Sequence, residues 1–222
     1  MKLTIVAATG GIGRELVEQA LAAGHDVTAV ARTPGRLPPA PIRVVAADLA
    51  APDPAVLRTA VAGADAVLSG LGPRSKADAG ITWRGTQAVT EAMQAAGVRR
   101  IVVVSAAPIG TVASPGRPHP HRHDPGDGVV MRYLAAPIVR AVFRANYAGL
   151  ARMEDILRHS DLDWTAVRPP RLTSRAMTGR YRTAVGRNVR RGLVISRADV
   201  AHGMLRAIGD PQAFRQTIAV AY

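Results

Sequence analysis

Apolar runs and amphipathic stretches alternate along most of the chain. The apolar runs are rich in β-branched residues and predict strands at 3–7, 27–31, 42–46, 66–68, 101–104 and 164–167. Helical periodicity appears at 13–23, 54–62, 82–96 and 146–159, and a later helix is expected at 199–208. Near-continuous apolar strands separated by helices are typical of a parallel sheet buried on both faces. The pattern predicts an α/β fold with a doubly wound parallel sheet of Rossmann type.

Two segments interrupt this alternation. Residues 108–128 are rich in Pro, Gly and His and lack periodicity, which predicts a long loop or a mobile lid. Residues 173–192 carry many arginines and are expected to form an irregular excursion before the last helix. The length of 222 residues suits one core. We therefore predict a single domain over residues 1–222, with an insertion at about 108–128.

Composition excludes several classes of site and compartment. The chain has no cysteine, which excludes disulfides, thiolate catalysis and Cys-ligated metals and favours a reducing cytoplasm. No signal peptide is expected, because only one short apolar run precedes the Gly-Gly turn that ends at Gly11. No membrane segment is expected, because the apolar stretch 129–143 is short and contains two arginines. The net charge of +13 is spread along the chain without a basic run interleaved with aromatics, which disfavours a nucleic-acid partner. The oligomeric state stays open.

A glycine-rich turn, AATGGIG at 7–13, joins the first strand to the first helix. Gly10 and Gly13 permit a tight turn and a close backbone approach, while the N-terminus of the helix points free N–H groups at a phosphate. In Gly-x-x-Gly-x-x-Gly spacing, Ala7 takes the first glycine position and narrows the room beside a ligand. The context predicts a dinucleotide pyrophosphate site; the alternative is a tight turn without a ligand.

The ends of the next strands suggest which dinucleotide binds. An NAD-specific site places an acidic residue after the second strand, but this chain has Arg32 and Thr33 there. Arg32 offers a planar cationic fork to a 2′-phosphate, and Arg36 adds a second charge, which favours NADP(H). A plain surface arginine is the alternative. Asp48 and Leu49 follow the third strand and are placed to meet the adenine edge and ring.

Small residues end the fourth strand, and the fifth and sixth strands end in polar or rigid ones. Leu71 and Gly72 let the chain pass the cofactor closely. Ser105 can hydrogen-bond a carboxamide or a substrate carbonyl, or satisfy local backbone groups. Pro170 stiffens the edge, and Arg171 can hold an anionic group. Ser105 and Arg171 are the candidate catalytic residues.

A tyrosine and a group of three histidines could suggest a catalytic or metal site, but their surroundings in the sequence do not support one. Tyr147 lies on a predicted helix, but no lysine is nearby to lower the pKa of its phenol, so a packing role is favoured. His119, His121 and His123 alternate in a Pro/Gly-rich loop without a second ligand cluster, so we predict no metal site.

Motifs along nearly the whole chain resemble the atypical short-chain dehydrogenase/reductase proteins with an NmrA-like NAD(P)H-binding domain, and within them the biliverdin and flavin reductases. The motifs are AATGGIG, ARTPGRL, VVAADL, VAGADAVLSGLGPR, GVRRIVVVSA, RMEDILRHSDLDW, TGRY and VISRADVAHGML. The resemblance implies NADPH binding by Thr9, Gly10, Gly11, Ile12, Gly13, Arg32, Arg36, Asp48, Leu49, Leu71, Gly72, Arg74, Ser105 and Pro170. The chain departs from the family at Ala7, which replaces a glycine, at Arg171, which replaces a histidine, and in the insertion.

The resemblance implies an NADPH-dependent oxidoreductase that passes hydride to a small flat acceptor such as a flavin, a quinone or a linear tetrapyrrole. Hydride transfer needs mainly alignment and exclusion of water, so an open pocket without a dedicated acid fits. A non-catalytic NADP(H) redox sensor is one alternative. Another is a tailoring enzyme of a small-molecule pathway, acting as a reductase, isomerase or dehydratase, which fold alone cannot exclude.

Overall fold

The computed structural model describes residues 1–72, 78, 80–126 and 144–222. Its helices are α1 (Gly11–Ala22), α2 (Pro54–Val61), α3 (Ile81–Ala96), α4 (Arg144–His159) and α5 (Arg197–Ala207). Its strands are β1 (Lys2–Val6), β2 (Asp26–Ala31), β3 (Arg43–Ala46), β4 (Ala66–Ser69), β5 (Arg100–Val104), β6 (Asp163–Arg168), β7 (Arg171–Thr173), β8 (Arg182–Val185), β9 (Val194–Ser196) and β10 (Gln216–Ala221).

Eight of these strands form one sheet in the order β3-β2-β1-β4-β5-β6-β10-β8. All neighbours are parallel except β10 and β8, which pair antiparallel. The predicted doubly wound α/β fold is confirmed. Because β1 lies between β2 and β4, the connections leave its carboxyl end in opposite directions and open a crevice there.

The sheet differs from the expectation at its far edge. Residues 182–185 lie in the segment expected to be irregular, yet they form β8 because β10 offers them an antiparallel partner. The short strands β7 and β9 form a separate parallel pair, and β10 was not predicted. The described part of α4 includes two residues before the expected start, and α5 begins two residues earlier than expected. In α5 the Ser196 hydroxyl caps the helix by accepting the N–H of Asp199 at 2.9 Å.

Helices cover both faces of the sheet. On one face, α1 and α5 pack together and bury Leu16, Val200 and Met204. On the other face, α2, α3 and α4 lie side by side and bury Met93 and Leu157. This two-sided burial explains why the strands read as continuous apolar runs. Within the described ranges, none of the helices combines the length and apolar character that a membrane span requires.

The insertion is partly ordered by local contacts. It begins with a 3-10 helix at Ala107–Thr111 and continues irregularly to Gly126, while residues 127 and 128 lie outside the described part. The carboxylate of Asp124 accepts the N–H groups of Gly126 and Asn188, both at 2.8 Å. The insertion is therefore tied to the segment that precedes β9. The domain bounds of 1–222 stay a prediction.

Candidate functional site

The glycine-rich turn is built around the carbonyl oxygen of Ala7. Ala7 has a φ of 59°, in the left-handed region, and its oxygen accepts the N–H of Gly10 at 2.8 Å. A Cβ atom on Gly13 would lie 2.2 Å from that same oxygen, so only glycine fits at position 13. The side chain of Ile12 is buried in the core, which leaves only its backbone N–H for a ligand. The turn therefore offers mainly backbone groups, together with Thr9, to whatever binds above it.

A cleft opens above this turn, between the carboxyl ends of β1, β2 and β4. It encloses about 580 Å³ including its open mouth. The predicted site residues that line it are Thr9, Gly10, Arg32, Asp48, Leu49, Leu71 and Gly72. The structure thus brings together the residues that sequence placed at a pyrophosphate, a 2′-phosphate and an adenine.

The remaining predicted residues do not line this cleft. Those in the described part are Gly11, Ile12, Gly13, Thr33, Arg36, Ser105, Pro170 and Arg171. Arg74 lies outside the described residues. Arg36 sits one turn beyond the end of β2, and Arg171 is an exposed residue of β7. The oxygen Oδ1 of Asp48 accepts the N–H of Ala50 at 3.0 Å, so the carboxylate is held by its own loop.

Two arginines that the sequence did not single out join this region. Nη2 of Arg14 donates to the backbone oxygen of Arg36 at 3.3 Å, which places the first turn of α1 beside the loop after β2. The side chain of Arg197 lies over Gly11, where an added Cβ would be 2.7 Å from its Cδ atom. Among the described residues, none of Arg14, Arg32, Arg36 and Arg197 forms a salt bridge. These arginines therefore form a rim of positive charge beside the cleft, whose own lining combines Arg32 with the carboxylates of Asp48 and Asp78. A rim of this sign suits a polyanion.

A buried ionic cluster lies at the end of β5. The hydroxyl of Ser105 donates to Oε1 of Glu154 at 2.7 Å, and Arg168 donates to both carboxylate oxygens, at 2.8 and 2.5 Å. Arg158 adds a bond at 2.5 Å. Burial raises the pKa of Glu154, but the hydrogen bonds and charges of Arg168 and Arg158 and the bond from Ser105 outweigh it, so the pKa lies below its ordinary value.

This cluster determines which hydrogen bonds the Ser105 hydroxyl can still make with a ligand. Its proton is directed at a carboxylate, which leaves only its lone pairs for a ligand. Ser105 is therefore placed to accept a hydrogen bond, such as one from a carboxamide, and not to donate one to a substrate carbonyl. Sequence could not show this, because Glu154 lies 49 residues from Ser105 and faces it only in the fold.

The other candidates for chemistry contribute little. Burial raises the pKa of the Tyr147 phenol, so this side chain keeps its proton near neutral pH. Within the described residues, no group of three or more His, Cys, Asp or Glu side chains is arranged to hold a metal ion.

Comparisons with known proteins agree with this geometry. Residues 7–211 match the family model described as NAD(P)H-binding. An exported protein from Burkholderia pseudomallei has 31% identity and a TM-score of 0.73, with both chains covered completely. A short-chain dehydrogenase/reductase from Veillonella parvula, in complex with NADP, has 20% identity and a TM-score of 0.76 over 100% of this chain and 94% of its own. An NADH-flavin reductase from Streptococcus pneumoniae has 22% identity and a TM-score of 0.73 over 100% and 99%.

The last two likenesses are too distant to show more than the fold. The family match covers most of the chain and includes the glycine-rich turn and the cleft lining. The turn fits a dinucleotide phosphate, since Gly13 lets the start of α1 pack directly on the carbonyl of Ala7 while Gly10, at the N-cap of the helix, lines the cleft. This chain belongs to the NAD(P)H-binding family, and its cofactor is NAD(P)H.

Proposed function

We propose that this protein is an NADPH-dependent oxidoreductase that transfers hydride to a flat conjugated acceptor such as a flavin. The observation that carries the preference for NADPH is Arg32, which lines the cleft at the end of β2 where an NAD-specific site has a carboxylate. Arg14 and Arg36 bring two more cations to the same corner. A 2′-phosphate placed there would meet the guanidinium of Arg32, which forms no salt bridge with the described residues, and Arg14 and Arg36 would add positive charge nearby.

The choice of acceptor rests on how little proton-donating power the described residues near the strand ends offer. The proton of Ser105 is committed to Glu154, and burial raises the pKa of the Tyr147 phenol, which makes it a weaker acid. Bound NADPH supplies a hydride, and a proton from solvent completes the reduction of a flavin or quinone. The protein then needs only to align the two rings and keep water away from them. The flavin reductase neighbour agrees with this class of acceptor.

The test begins with NADPH and NADH, titrated separately into the protein while nucleotide fluorescence is followed. We expect NADPH to bind more tightly, and added FMN to cause a loss of absorbance at the nicotinamide band. Arg32→Gln should weaken NADPH binding about 10- to 100-fold, the effect of one lost charge-assisted contact, and leave NADH unchanged. Arg58→Gln, an exposed arginine of α2, is the matched control. A preference for NADH in the wild type would refute the assignment.

A non-catalytic NADP(H) sensor is the second candidate. Its support is that lysine occurs only at positions 2 and 76, so Tyr147 has no lysine within its own helix to lower the pKa of the phenol. A sensor would bind NADPH tightly and oxidise it with none of a panel of flavins, quinones and tetrapyrroles. Turnover of any one of them at a useful rate would rule it out.

We propose the cytoplasm as the compartment. The chain has no cysteine to oxidise, and the described helices include no membrane span. One similar structure is that of an exported protein, so fractionation of the native cells is the direct test. Recovery in the periplasmic or extracellular fraction would overturn this proposal.

A further inference from the structure

Arg197 is held in place over the start of α1. It is the first residue of α5, and Nη1 donates to the Ser174 hydroxyl at 3.0 Å. The start of α5 is itself fixed on α1, because the side-chain amide of Gln19 donates to the backbone oxygen of Ala198 at 2.9 Å. An added Cβ on Gly11 would lie 2.7 Å from Cδ and 2.9 Å from Nε of Arg197. The charged end of Arg197 thus lies beside the first turn of α1.

The first turn of α1 has backbone N–H groups that are not used by hydrogen bonds within the helix. The first helical bond there runs from the N–H of Arg14 to the oxygen of Gly10 at 2.9 Å, so the N–H groups of Gly11, Ile12 and Gly13 precede it. Gly10 stands at the N-cap and has no side chain to satisfy them. These donors and the positive end of the helix dipole attract a phosphate, and Arg197 adds a full positive charge to the same place.

We propose that Arg197 binds the pyrophosphate of the cofactor. This rests on the proposed dinucleotide site, and it assigns different phosphates to different arginines. Arg32, at the end of β2, meets the phosphate that only NADPH has, whereas Arg197 meets the one that NADPH and NADH share. The proposal also explains Gly11: the side chain of Arg197 occupies the space that any larger residue would need.

Because the pyrophosphate is common to both nucleotides, Arg197→Gln should raise the Kd of NADPH and of NADH by the same factor, about 10- to 100-fold. Binding of adenosine 2′-monophosphate, which has no pyrophosphate, should not change. Arg197→Lys keeps the charge without the fork and should recover part of the affinity. Arg206→Gln, an exposed arginine at the other end of α5, is the matched control and should leave all three dissociation constants unchanged.

The outcomes separate this inference from the proposed function. Unchanged Kd values for both nucleotides in Arg197→Gln would overturn the role of Arg197 while leaving the site intact. Equal weakening of adenosine 2′-monophosphate, or a lower Tm of the ligand-free variant, would show a structural role and also overturn it. If the wild type bound neither nucleotide, the proposed function would fail first, before any variant was made.

Discussion

The turn after β1 is strained at a single residue. Ala7 adopts a left-handed backbone conformation at a φ of 59°, which costs an L-residue about 1–2 kcal/mol and costs glycine almost nothing. The conformation is imposed, because the carbonyl of Ala7 must lie against Gly10 and Gly13. The missing glycine of the motif therefore leaves the turn intact and makes it less stable than it could be.

Ala7→Gly should therefore stabilise the protein. We expect the free energy of unfolding to rise by about 0.5–1 kcal/mol, since the relief of strain exceeds the extra flexibility that glycine gives the unfolded chain. Chemical denaturation measures it. Ala88→Gly, inside α3 with an ordinary helical backbone, is the control and should lose about 1 kcal/mol. A loss of stability in Ala7→Gly would contradict the argument from strain.

Glu154 makes stability depend on pH. Its pKa in the folded protein lies below the ordinary value of 4.5, because the attraction of Arg168 and Arg158 outweighs burial. A lowered folded pKa contributes stability that is fully present above the unfolded pKa and is lost as pH falls through the folded one. The wild type should therefore lose stability below about pH 4.5 in a way that Glu154→Gln does not.

Unfolding by denaturant between about pH 3 and pH 7 measures this difference. At neutral pH, Glu154→Gln should lose about 3 kcal/mol or more, because it leaves Arg168 buried without a counter-charge. Asp161→Asn, an exposed carboxylate two residues before β6, is the control and should behave like the wild type. Parallel pH curves for the wild type and Glu154→Gln would refute the prediction.

At the level of elements, one carboxylate ties α5 to the irregular chain before β8. Oδ1 of Asp199 accepts the N–H groups of Thr178 and Gly179, at 2.9 and 2.8 Å. Oδ2 accepts the hydroxyls of Thr178, Ser196 and Tyr222, at 2.9, 3.0 and 2.5 Å. The residues between β7 and β8 thus lack regular structure but are anchored to a helix.

Asp199→Ala should remove this anchor. We expect a loss of about 2–4 kcal/mol, because the donors of Thr178 and Gly179, the half-buried hydroxyl of Tyr222 and the buried hydroxyl of Ser196 lose their acceptor together. Hydrogen exchange should also become faster at the N–H groups of Thr178 and Gly179, while the amides of β1 should change only with global stability. Tyr222→Phe deletes one donor and should cost about 1 kcal/mol. Slow exchange at Thr178 in Asp199→Ala would contradict the anchoring role.

The elements also show what the sequence could predict and what it could not. Strands β1 to β6 were predicted because each is largely an apolar run, and the fold buries all of them except the mostly exposed edge strand β3. The glycine-rich turn was predicted because its spacing is dictated by backbone contact. β8 has exposed arginine and threonine, and becomes a strand only by pairing with β10. Alternation of Ile218 and Val220 was the available signal for β10 itself. Arg14 and Arg197 come near the cleft only through contacts in the fold, Arg14 with the loop after β2 and Arg197 with the start of α1, which local pattern does not encode.

At the scale of the whole molecule, the net charge of +13 includes the rim of arginines beside the cleft, which form no salt bridge among the described residues. We expect the Kd of NADPH to rise when salt is raised from about 0.05 to 0.5 M, since screening weakens attraction between exposed charges. The rise should be steeper for NADPH than for NADH, which has one phosphate fewer. Equal slopes would show that the 2′-phosphate does not meet the rim.

The contact between α1 and α5 also limits when α1 can be covered during synthesis of the chain. α1 is made long before α5, the helix that covers it on the sheet, and β8 waits in the same way for β10. Synthesis of the residues between α1 and α5 takes roughly 10–40 seconds at about 5–20 residues per second. During that interval the apolar side of α1 lacks the cover of α5, so we expect the nascent chain to depend on chaperones and to acquire its nucleotide only after α5 has been made.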